Sequence, residues 1–201
     1  ARVAGDAGDR PQAITARVRI AALKLQAGHV DEASKLLDDV LAENPADPDA
    51  LVMRAQISIR RGDSSRAITD LRAALRDQPT SLPITIQLAR AYVQSGDQAL
   101  AEQTLRAAVQ GNPGDAQARL ALAQFLVEKG EPAKARPVLE QLVKDDPNNV
   151  QALEVLARIN VLLKDPAGSL QQANTLQTLR PNSASGYYLA GVAQQAQQNT
   201  D

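Results

Sequence analysis

Six prolines stand at Pro11, Pro45, Pro79, Pro113, Pro147 and Pro181, each 34 residues after the one before. A chain built on that spacing repeats one small module along its length, which excludes most globular folds before any other residue is read. Glycines keep the register at Gly28, Gly62, Gly96 and Gly130. Small residues keep it in two more columns: Ala21, Ala55, Ala89, Ala123, Ala157 and Gly191, then Ala33, Ala67, Ala101, Ala135 and Ser169. A last column reads Leu37, Leu71, Leu105, Leu139 and Ala173.

These columns predict two antiparallel helices, A and B, in each module. Proline ends helix B because it cannot continue one. Asp47, Ser81, Asp115, Asn149 or Ser183 follows shortly after and supplies a side-chain oxygen for the free N–H groups of the next helix A. Pro48 and Pro83 fall in the first turn of those helices, where a missing N–H is harmless. Glycine closes helix A by turning left-handed. Asp63, Asp97, Glu131 and Asp165 come next and favour the start of helix B through its dipole. The alanine columns let A and B approach closely, and the leucine column fills the gap between them. Apolar residues make up 44% of the chain but aromatics only 2%, so the core must be aliphatic, as closely packed helices allow.

The pattern resembles the tetratricopeptide repeat, TPR, a 34-residue unit with conserved small residues and a closing proline. The resemblance covers almost the whole chain in period, Ala, Gly and Pro. It is looser elsewhere: the family's Trp place holds Arg17, Leu51, Thr85, Arg119, Leu153 and Tyr187, and its Tyr place is kept only by Tyr92. What it implies is an all-α fold, a right-handed superhelical α-solenoid of antiparallel helix pairs whose A helices line the concave face. Full units are expected at 14–47, 48–81, 82–115, 116–149 and 150–183. Residues 1–13 read as the degenerate end of a preceding helix B, finished by Pro11. Residues 184–201 read as helix A of a truncated sixth unit that shows water Tyr187, Tyr188, Leu189 and Val192, so the chain reads as a fragment of a longer solenoid. The fifth unit departs from the pattern: Lys164 replaces the turn glycine, Pro166 and Gly168 enter the start of helix B, and Arg180 is the only charge from Pro166 to Thr200. Two readings stay open there, drift along the array or an uncharged surface that packs on another segment or subunit.

Helix periodicity separates a groove stripe from the face that meets helix B. In the central units it carries Val52, Gln56 and Ile59, then Ile86, Arg90 and Val93, then Leu120, Gln124 and Val127, with Arg60, Gln94 and Glu128 just beside it. The aliphatic places, from Val18 and Leu25 to Val161, have two explanations. They pack against the adjacent A helix, or they form an apolar track for an amphipathic or extended peptide that Gln56, Gln124, Arg90 and Arg158 would hydrogen-bond. Hsp70/Hsp90 co-chaperones of the TPR family grip a C-terminal carboxylate with Lys, Asn and Arg at set groove places. Here those places hold Val18 and Ala22, or Val52 and Gln56, so chaperone-tail binding is not expected.

Catalytic chemistry has little to stand on. The absence of cysteine excludes disulfides, thiolate metal sites and a Cys nucleophile. His29, the sole histidine, reads as a solvated turn residue. The stretches "ENPADPDA" and "KDDPNN" lack the ligand spacing of a calcium loop, and no nucleophile-elbow, P-loop or dinucleotide motif occurs. Neither an enzyme, a cofactor nor a metal is expected. A net charge of −1 gives no basic field for nucleic acid, and the apolar runs are too short to span a membrane. The arginines of the second unit read as a solvated face, with Arg66 and Asp70 spaced to pair along helix B.

The expected function is therefore a non-catalytic scaffold that binds a protein or peptide partner in the concave groove. An alternative is an assembly scaffold of the bacterial envelope. Helix starts like "PNSASGYYLAG" weakly resemble TPR scaffolds of exopolysaccharide secretion and PEP-CTERM/exosortase systems, which would put the chain in the periplasm or cell envelope rather than the cytoplasm. A carbohydrate-binding groove would need exposed aromatics on the concave face, where only Tyr188 qualifies. The exposed ends also raise the chance of self-association through the terminal helices.

Overall fold

The computed structural model describes residues 3–198, with side chains described from residue 11 onward. Those residues form eleven α-helices and no strand: α1 (Val3–Gln26), α2 (Val30–Glu43), α3 (Pro48–Arg60), α4 (Ser64–Asp77), α5 (Leu82–Gln94), α6 (Gln98–Gly111), α7 (Ala116–Glu128), α8 (Pro132–Asp145), α9 (Val150–Leu162), α10 (Pro166–Leu179) and α11 (Ala184–Gln198). A-type helices start at residues 48, 82, 116, 150 and 184 and B-type helices at 30, 64, 98, 132 and 166, so the 34-residue period of the sequence is the period of the backbone. The chain is an all-α solenoid of antiparallel helix pairs.

Local chemistry sets each boundary. Asp47 accepts a hydrogen bond from the Ala50 N–H at 2.9 Å and Asn149 from the Ala152 N–H at 3.0 Å, while Asp115 accepts from both Gln117 and Ala118. Ser81 keeps the extended backbone of a cap but makes no side-chain cap bond. At the other end of each A helix, Gly28, Gly62, Gly96 and Gly130 take φ of +80° to +86°. The residue after each glycine then donates its N–H to the carbonyl five residues back, as in Asp63 to Ser58 at 2.9 Å and Glu131 to Leu126 at 2.8 Å. This is the Schellman closure that satisfies the last carbonyls of a helix. The fifth unit makes the same bond, Asp165 to Asn160 at 2.8 Å, with Lys164 in the glycine's place.

Two expectations are corrected at the ends. Pro11 does not finish a helix, because α1 runs through it from Val3 to Gln26. At every other register proline a capping residue follows two places on; here that place holds Ala13, which cannot accept an N–H bond, and the helix continues. At the far end, Leu189 does not face water. It is 2% exposed and packs with Ala190 into a cluster of Leu153, Ala157, Ala173 and Leu176 from α9 and α10. Only the tyrosine side of α11 is open, with Tyr187 at 54% and Tyr188 at 68%.

The chain divides into two compact units, residues 1–104 and 105–201, with the boundary inside α6. In the first, α1, α3 and α5 lie side by side, each against its B-type neighbours α2 and α4. In the second, α7, α9 and α11 do the same against α8 and α10. Both small-residue columns and the leucine column are buried, with Ala21, Ala33, Leu37, Ala55, Ala67, Leu71, Ala135, Leu139 and Ala173 at 0%. Small side chains at these places are what let the helix pairs close to contact. Gly191 is the exception and lies exposed. Gly168 has a separate reason: a Cβ there would stand 2.6 Å from Asp165 Oδ2 and 2.9 Å from Asn160 Nδ2.

Candidate partner-binding faces

The B-type helices and the turns carry most of the paired charge. Arg54 of α3 forks onto Asp70 of α4 with two bonds of 2.8 Å and also reaches Asp38 of α2 at 3.1 Å. Arg66 binds Asp38 at 2.6 Å rather than pairing with Asp70 along its own helix, as the spacing had suggested. The reason is burial. Asp70 is 3% exposed, its carboxylate turned into the interface where only the α3 guanidinium meets it. Arg61 pairs with Asp31, and Arg72 donates to the Tyr92 hydroxyl at 2.8 Å while lying over its ring. At the family's Trp place, Arg17 and Arg119 do a different job from an indole. Each bonds an acid near the end of the B helix of its own pair, Glu43 and Asp145. The Arg119 guanidinium holds the Asp145 carboxyl below its ordinary range. His29 sits 2.8 Å from Glu32, whose carboxyl is held down at about 2, chiefly by its bond to Lys24 and then by His29.

The A-helix face of the first unit is different. Between α1 and α3 it opens a cleft of about 350 Å³, floored by Ala22, Leu25, Val52 and Met53. Its rim is polar, formed by Gln26, Asp49, Gln56 and Arg60. Val52, Gln56 and Ile59 are half-buried on α3, and Ile86 is half-buried on α5. Arg90 and Val93 on α5 are exposed, Val93 at 42%. Gln94 donates to the Ile59 carbonyl at 2.9 Å, which ties the last turn of α5 to the last turn of α3. Met53 and Asp49 also line this cleft, Asp49 from three residues before Val52 on the same helical side and Met53 from the position next to Val52.

In the second unit the groove places divide. Leu120, at 6%, belongs to the core, as does Val18 of the first unit at 5%; both pack rather than wait for a ligand. Val127 and Val161 are half-buried, Gln124 donates to Glu128 at 2.9 Å, and Arg158 is exposed. Leu162 is 59% exposed and stands in the register place of Arg60, Gln94 and Glu128, an apolar side chain where the other units carry polar ones. Among the described residues no group of three or more His, Cys, Asp or Glu side chains is placed to hold a metal ion, and no helix is long and apolar enough to cross a membrane.

Comparison with known proteins places this geometry. The model of the cytochrome c-type biogenesis protein H TPR domain matches residues 70–187, and a general tetratricopeptide repeat model matches residues 18–81. Among curated proteins, none matches the sequence. Of solved structures, the C-terminal part of a TPR repeat-containing protein from Cytophaga hutchinsonii is similar at a TM-score of 0.73 and 17% identity, over 91% of this chain and 72% of that one. MamA from Desulfovibrio magneticus is similar at 0.66 and 20%, over 85% and 96%. YrrB, described as a TPR protein with an unusual peptide-binding site, is similar at 0.60 and 17%, over 86% and 89%. Such identities speak for the fold alone, but the family models speak for descent. The chain is a tetratricopeptide-repeat protein and belongs to the family of the cytochrome c-type biogenesis protein H TPR domain.

Proposed function

We propose that the chain is a non-catalytic scaffold that binds protein segments on its A-helix faces, above all on that of residues 1–104. The observation that carries this reading is the α1–α3 cleft, an open apolar floor inside a polar rim. A fold that needed these places only for packing would bury them, as it buries Val18 and Leu120. Here Val52, Ile59 and Ile86 stay half-open and Val93 stays exposed. Such a surface suits an amphipathic helix or extended peptide, which supplies alternate apolar anchors. The peptide-binding site named for YrrB supports the reading by analogy.

The test is to pan a random-peptide display library against the full chain and measure the recovered peptides by fluorescence anisotropy. Val52→Glu combined with Val93→Glu should weaken them at least tenfold while leaving the melting temperature within a few degrees. Recovery of no peptide, or binding unchanged by the double substitution, would remove the groove from the account.

A finer reading makes the chain an assembly scaffold of the bacterial envelope. It is favoured by the match to a domain named for cytochrome c-type biogenesis, itself an assembly process. Fractionation of the full gene product in its source cell checks it: the protein belongs with the envelope fraction, and recovery with the cytoplasm alone would end this reading.

A further inference from the structure

The first unit neutralises its arginines unevenly. Arg17, Arg54, Arg61 and Arg66 each bind a carboxylate of the same unit. Arg19, Arg60, Arg76 and Arg90 have no acidic partner among the described residues, and of these Arg60 is the one that lines the cleft. Arg60 lines the cleft from the last turn of α3. Arg90 is exposed on α5, one turn before Gln94, whose side chain is bonded to the Ile59 carbonyl next to Arg60. Arg60 therefore stands at one end of the cleft, whereas Arg90 lies outside its lining, on the neighbouring A-type helix. The acid of the rim, Asp49, is in the first turn of α3, eleven residues away and so roughly 16 Å along the helix axis. One end of the cleft is therefore cationic and open, the middle is apolar, and the far end is anionic.

We infer that the occupant of this cleft is a peptide segment with an apolar anchor flanked by aspartate or glutamate, its side-chain carboxylate held by Arg60. The inference rests on the groove-binding reading above and specifies its partner. The cleft has the volume of a small ligand pocket, enough for one large aliphatic or aromatic side chain against Leu25, Val52 and Met53. Guanidinium groups favour carboxylates because they offer paired N–H donors in a planar fork. Asp49 repels a second acid at the other end, so the acidic side of the segment is directed toward Arg60. Complementary charge of this kind selects partners and speeds encounter more than it adds raw affinity.

The same display selection tests it, because the readout is now the composition of the recovered peptides. Binding is remeasured with synthetic peptides amidated at the C-terminus, so that only side-chain carboxylates are offered. Wild-type chain should enrich peptides carrying Asp or Glu within four residues of a Leu, Ile, Met or Phe, and their binding should weaken as salt rises. Arg60→Glu should weaken the amidated peptides at least tenfold and turn a fresh selection toward Lys and Arg. Arg60 is exposed on the rim, and a matched thermal melt shows that the variant is folded. Peptides that lack an acidic excess, or that bind equally after charge reversal while still being released by Val52→Glu with Val93→Glu, would overturn the inference and leave the groove reading standing. Binding that survives only with a free C-terminal carboxylate would overturn it as well. Recovery of no peptide at all would overturn both.

Discussion

The turn after each A helix asks one residue to adopt a left-handed backbone, and the five turns answer in two ways. Glycine takes φ of +80° to +86° at positions 28, 62, 96 and 130, with open space where a Cβ would be. Lys164 takes φ of +58° in the fifth turn. An L-residue there pushes its Cβ toward the following carbonyl, at roughly 1–2 kcal/mol. The surrounding bonds over-determine the turn: Asp165 donates back to the Asn160 carbonyl, and its carboxylate caps the Gly168 N–H at 2.9 Å while accepting from Arg136 at 2.9 Å. Lys164→Gly should therefore stabilise the chain by about 1 kcal/mol, partly offset by the larger unfolded-state entropy of glycine. Urea denaturation of the two proteins checks this, and an unchanged or lower midpoint would mean that the lysine stem packs better than its exposure suggests. This turn was visible in the sequence as a broken column. Its survival was not, because the rescuing bonds come from residues three and twenty-nine positions away from Asp165.

At the level of helices, the period, the turns and the buried columns could all be read from the sequence, since every pair uses them alike. What could not be read depends on which helix lies opposite. Arg66 and Asp70 are four apart on α4 and share a helical side by spacing, yet Asp70 is buried against α3 and Arg66 reaches α2. Leu189 has the look of an unpartnered apolar residue until α9 and α10 are set beneath it. The Arg54–Asp70 fork makes the sharper prediction. Asp70→Ala leaves a guanidinium that is only 20% exposed with the single, longer bond to Asp38. Removing one partner of a buried pair strands the other charge, so the loss should be about 3 kcal/mol. Arg54→Met added to Asp70→Ala should recover part of it. A double-mutant cycle by urea denaturation measures the coupling; additive losses would show that the pair is cosmetic.

Across the molecule, each of the two compact bodies is held by contacts between sequence neighbours, helix against next helix and A-type against A-type. The columns of the sequence report what all modules share, which is packing. Places where modules differ, such as Met53, Arg60, Arg90 and Leu162, carry no common signal in a single sequence. Neighbour-only packing also governs how damage spreads. In a repeat array stability is close to a sum of module terms and nearest-neighbour interfaces, so a core substitution is felt chiefly where it is made. Leu189→Ala removes a side chain packed among Leu153, Leu176 and Ala190 and should cost about 2–5 kcal/mol locally. Native-state hydrogen exchange can see where that cost falls, because local and sub-global openings report separate free energies. Protection should drop sharply in α10 and α11, less in α9, and hardly at all in α2 through α4. Leu37→Ala, whose side chain is wholly buried in α2, should produce the reverse map, with α10 and α11 untouched. A uniform loss of protection along all helices from either substitution would mean that the chain opens only as a whole, and the nearest-neighbour account of its stability would be wrong.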